Sequence, residues 1–70
     1  MKKAEFEFVI RSIVDDLVSY LVEDYNMTYM EAIDKVYNSM IFQKLQNKET
    51  GLYLRSPAYT YEYLKREIGF

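Results

Sequence analysis

Residues 4 to 25, AEFEFVIRSIVDDLVSYLVEDY, carry apolar side chains around more than half of a helical barrel, and that breadth restricts the fold more than any other feature. At about 100° per residue, Phe6, Val9, Ile10, Ile13, Leu17, Tyr20 and Leu21 gather on one stripe. Val14, Val18, Val22 and Tyr25 widen the arc to about 220°, more than a helix with one core face needs. Such a helix needs neighbours on two sides. Either other segments of the same chain supply both, or the Val14, Val18, Val22 ridge is a dimer interface between two copies. The alternation in EFEF could open as a strand, but it covers a few residues and helical spacing prevails after it.

The neighbours are short. Thr28 followed by Glu31 is the pattern of a capping box, with Met27 and Ala32 placed as a hydrophobic staple. The helix begun there turns Tyr29, Met30, Ala32, Ile33, Val36, Tyr37 and Met40 inward and Glu31, Asp34, Lys35 and Asn38 outward. Ile41, Phe42 and Leu45 fall out of phase with it, so the spacing predicts a bend at Asn38 and Ser39, with Ser39 capping a separate helix to about Gln46. NKETG, residues 47 to 51, is a polar connection in which Gly51 can take a positive φ. LYLR, residues 52 to 55, alternates and is too short for a helix, so an extended stretch laying Leu52 and Leu54 on the core is expected. Ser56 and Pro57 occupy favoured N-cap and N1 positions, and Gly69 stands where a helix would end. On that last helix Tyr61, Leu64 and Ile68, with Pro57 and Ala58, form the inward stripe.

The expected fold is a single all-α domain over residues 1–70, a small bundle of three to four helices with a short extended connection before the C-terminal helix. At 70 residues one core supports only a few kcal/mol unless a disulfide, a metal or a second subunit helps. The chain has neither Cys nor His, which excludes disulfides and thiol or imidazole ligation of zinc, haem or iron–sulfur clusters. Self-association is the aid that remains. No cofactor is expected. Asn47, Glu49 and Thr50 match no calcium-loop spacing, so no metal site is expected there. No apolar run reaches the roughly 20 residues of a membrane span, and MKKAEFEFVI has acidic residues where a signal peptide would be apolar. A cytoplasmic protein is expected.

Catalysis near neutral pH most readily uses His or Cys, and both are missing. Asp15–Asp16 and Glu23–Asp24 are sequence neighbours, pointing about 100° apart on a helix, and form no matched dyad. Glu7 to Arg11, Glu31 to Lys35 and Glu62 to Arg66 have the order of surface ion pairs. No catalytic residue is expected.

The C-terminal helix carries two sets of tyrosines. Tyr59 and Tyr63 lie one turn apart on the side opposite Tyr61, with Arg66 three residues on. They could form a local surface cluster, pack under LYLR, or serve as exposed anchors of residue types enriched at binding hot spots. The last reading makes Tyr59, Tyr63 and Arg66 a partner-binding face for another protein. The alternative is weak nucleic-acid binding through Lys44, Lys48, Arg55 and Lys65, interleaved with tyrosines. A net charge of −2 argues against it.

From MTYMEAIDKVYNS through LQNKETGLYLRSPAYTYEYLKRE, the order of caps and the Gly-Leu-Tyr and Ser-Pro-Ala-Tyr patterns resemble a family of short bacterial helical proteins of uncharacterised function. Some of its members are encoded beside toxin-like proteins. The resemblance implies an interaction role, antitoxin-like or accessory to a toxin–antitoxin system, and transfers no catalytic residue.

Overall fold

The computed structural model describes residues 2–69 and shows an all-α bundle. Helix α1, Lys3–Tyr25, is the axis on which the rest assembles. Its 23 residues span about 35 Å at 1.5 Å each, the full 35 Å length of the molecule. Asn26 ends it in the left-handed region at φ 56°, which Asn tolerates better than most residues. Helices α2 (Tyr29–Tyr37), α3 (Met40–Gln46) and α4 (Pro57–Ile68) all pack on α1. Phe6, Ile10, Ile13, Val14, Leu17, Val18 and Leu21 are buried along its length. The wide apolar arc is therefore satisfied within one chain. Val14 and Val18 are each 3% exposed and Val22 is half-buried, which withdraws that ridge as a dimer interface.

Caps define the short helices. The Thr28 hydroxyl accepts the Glu31 N–H and the Glu31 carboxylate accepts the Thr28 N–H, each at 3.2 Å, closing the capping box. The Thr28 N–H foremost, then the Thr28 hydroxyl beside it, hold the Glu31 carboxyl below its ordinary pKa. The Ser39 hydroxyl accepts from the Phe42 N–H at 3.1 Å and donates to the Val36 carbonyl at 2.6 Å, making the α2–α3 bend with one side chain. Ser56 caps α4 through the Tyr59 N–H, with Pro57 at its start. Gly51 and Gly69 both adopt positive φ.

Burial on α2 is narrower than its pattern predicts. Ala32 and Val36 are buried and Ile33 is half-buried, but Tyr29, Met30, Tyr37 and Met40 are exposed. An apolar arc marks what could face a core, and here only one edge of it meets α1. The connection before α4 also differs. Lys48–Thr50 and Leu52–Leu54 are two 3₁₀ turns, and extended backbone is confined to Asn47, Arg55 and Ser56. With about three residues per turn, Leu52 and Tyr53 both reach the core and Leu54 is left exposed, in place of the alternation expected. The Tyr53 ring meets Phe6 edge-on at 5.0 Å.

Tyr53, just ahead of α4, meets Phe6, and Tyr61 within α4 meets Tyr20 at 4.8 Å. The buried stripe of α4 is Thr60, Tyr61 and Leu64 with Ile68 half-buried. Ala58 is exposed, since the first turn emerges from exposed Arg55 and Ser56. The Tyr61 hydroxyl donates to Asp24 at 2.8 Å. Desolvation first, then that carboxylate, push the Tyr61 phenol well above its ordinary pKa.

A second tie joins α4 to α3. The Glu67 carboxylate accepts the Met40 N–H at 2.6 Å and the Ile41 N–H at 3.1 Å, so α4 caps α3. No helix among the described residues is long and apolar enough to cross a membrane.

Candidate interaction surface

Ser56 and Pro57 set the phase of α4 so that Tyr59 and Tyr63 stand one turn apart, away from Tyr61 and Leu64. They are 42% and 41% exposed, half in contact with the helix surface and half in solvent. Their rings lie 5.2 Å apart and their hydroxyls meet at 3.3 Å. A guanidinium covers each ring: Arg55 sits 5.3 Å from the Tyr59 centroid and Arg66 5.3 Å from that of Tyr63. The result is a ladder of Arg55, Tyr59, Tyr63 and Arg66 along one exposed face. The shared hydroxyl contact raises the Tyr59 pKa, with Arg55 acting in the opposite direction.

Cation–π contact takes Arg66 in place of the expected ion pair with Glu62. Glu62 instead holds Lys65 at 3.0 Å, the one ion pair seen among the described residues. Arg55 was grouped by sequence with the nucleic-acid candidates, and the structure places it beside Tyr59. The rest of that group is dispersed in its contacts. Lys48 lies over the Phe6 ring, Lys65 over Tyr61 and against Glu62, and Lys44 is exposed on α3. Tyr53 and Tyr61 are turned toward the core, so the interleaved aromatic track is broken.

A second concave feature has no single-segment signature. Between the first half of α1 and the α2–α3 corner runs a groove of about 530 Å³. Phe6, Ile10 and Val14 form its floor, and Tyr37 and Phe42 stand at its wall. Four elements contribute to it, α1, α2, α3 and the 3₁₀ turn Lys48–Thr50, and only the i, i+4 series Lys3, Glu7, Arg11 hints at its charged edge in sequence. Among the described residues, no group of three or more Asp or Glu is placed to hold a metal ion.

Comparison with protein-family models, curated proteins and solved structures returned no match to this chain.

Proposed function

We propose that this protein is a small interaction module that binds another protein through Tyr59, Tyr63 and Arg66, with Arg55 extending the same face. The observation that carries this reading is the exposed Arg–Tyr–Tyr–Arg ladder. Tyr and Arg are the types over-represented among residues that dominate binding energy. Tyrosine offers a large contact area with few torsions to freeze, and the ring and hydroxyl contacts here hold the side chains in place before a partner arrives. A protein of this kind would act by covering a partner's surface, as an antitoxin-like or accessory component does, which is the role its resemblance implies.

The test is affinity capture from the native cell with nuclease-treated lysate, comparing wild type with the Tyr59→Ala, Tyr63→Ala double variant after circular dichroism has shown both folded. One stoichiometric protein captured by wild type and lost by the variant supports the reading. Capture that disappears on nuclease treatment would favour the nucleic-acid regulator instead.

A further inference from the structure

We propose that the groove beside α1 is a binding site for a small amphipathic anion: a carboxylate carried on an acyl or aryl body. This site is separate from the α4 ladder, and neither proposal depends on the other. Its volume of about 530 Å³ lies within the roughly 300–1,000 Å³ of ligand-sized pockets. Apolar side chains from successive turns of α1, Phe6, Ile10 and Val14, make the base. Above them Tyr37, 49% exposed, is held edge-on against Phe42 at 4.7 Å. A flexible acyl chain or a flat ring could lie against that wall.

Charge selects the sign of the ligand. Lys3, Arg11 and Lys48 line this one groove against the single carboxylate of Glu7, although the chain as a whole carries −2. Lys48 is held with its ammonium 5.0 Å from the Phe6 ring, at the seam between base and rim. Neither Lys3 nor Arg11 makes an ion pair or side-chain hydrogen bond among the described residues, and the Glu7–Arg11 pair suggested by sequence is not formed. A guanidinium without a partner presents a planar fork that fits a carboxylate with two hydrogen bonds. Glu7, in the same groove, is a like charge that weakens the hold on an incoming carboxylate. A neutral apolar molecule would leave the cations unused, and a bare anion would leave the exposed ring of Tyr37 uncovered.

The test is titration of the full-length ¹⁵N-labelled protein with decanoate, decanol and acetate, followed by amide chemical shifts. Decanoate is expected to shift residues of 3–14 and the amides of Tyr37 and Phe42 saturably, at least tenfold more tightly than either control. Arg11→Gln should weaken decanoate about tenfold, Lys3→Gln should weaken it less, and Glu7→Gln should strengthen it. All three positions are exposed, so folding is expected to survive and is checked by the spectrum itself. Equal affinity for decanoate and decanol would overturn the proposal, as would shifts centred elsewhere. Tighter binding of a short acidic peptide bearing one Phe would also overturn it, making the groove a peptide site.

Discussion

Replacing Glu67 should cost more than any other exposed carboxylate in this protein. Helix α3 has seven residues, too few to persist alone, and its first backbone donors need partners. Ser39 serves the Phe42 N–H, and Glu67 serves both Met40 and Ile41 from 27 and 26 residues away. An N-cap side chain is worth about 0.5–2 kcal/mol, and a negative charge at a helix start adds about 0.3–1. Because Met40 is exposed and water can reach its N–H in the variant, the top of the combined range of about 0.8–3 kcal/mol is not reached, and Glu67→Ala should lose about 2 kcal/mol. For a domain of this size that lowers Tm by about 8–16 °C. Glu67→Gln keeps acceptor geometry for one N–H without the charge and should lose about half as much. The assay is urea and thermal unfolding by circular dichroism, with Glu62→Ala as the surface control, expected within about 0.5 kcal/mol of wild type. A loss for Glu67→Ala no larger than that control would refute the coupling of α4 to α3 through this carboxylate.

Thr60→Val should stabilise the fold by about 1 kcal/mol in urea unfolding, because the Thr60 hydroxyl is buried without a hydrogen-bond partner among the described residues and Val removes it at nearly constant volume; a loss of stability would show that the hydroxyl has a partner in solution. Tyr61→Phe should flatten the alkaline limb of stability. The folded Tyr61 pKa lies above its ordinary value of 10, so its contribution is fully present below pH 10 and declines as pH rises further toward the folded value. Stability followed from pH 8 to 12 should fall in wild type more steeply than in the variant, and parallel curves would contradict the assignment.

Local chemistry was the legible part of this chain. Thr28 with Glu31, Ser39, and Ser56 with Pro57 each announce a helix start within four residues, and each caps as the pattern predicts. The long helix was legible because its apolar spacing persists over six turns. What spacing cannot say is which neighbour covers an apolar arc. Val14 and Val18 could meet a second copy or the rest of the chain, and on α2 the same ambiguity placed Tyr29, Met30, Tyr37 and Met40 inward when α1 reaches only Ala32, Val36 and the edge of Ile33. LYLR was misleading because two leucines flanking a tyrosine fit a strand alternation and a 3₁₀ turn alike; contact between Tyr53 and Phe6 accompanies the latter. Glu67 and the groove depend on residues far apart in sequence, and no local rule connects Met40 to Glu67 or Phe42 to Phe6. At the α4 face, sequence found Tyr59, Tyr63 and Arg66, and the fold added Arg55 from the residue before the cap.

The most direct measurement is site-specific photo-crosslinking in the native cell, with a benzoyl-phenylalanine placed at Tyr63 and, as a control, at exposed Lys35 on α2. The interaction account predicts one dominant adduct at position 63, composed of this chain and one other protein, and its absence at position 35. Equal adducts at both positions, or only nucleic acid attached at 63, would contradict the assignment of the tyrosine ladder as a protein-docking face.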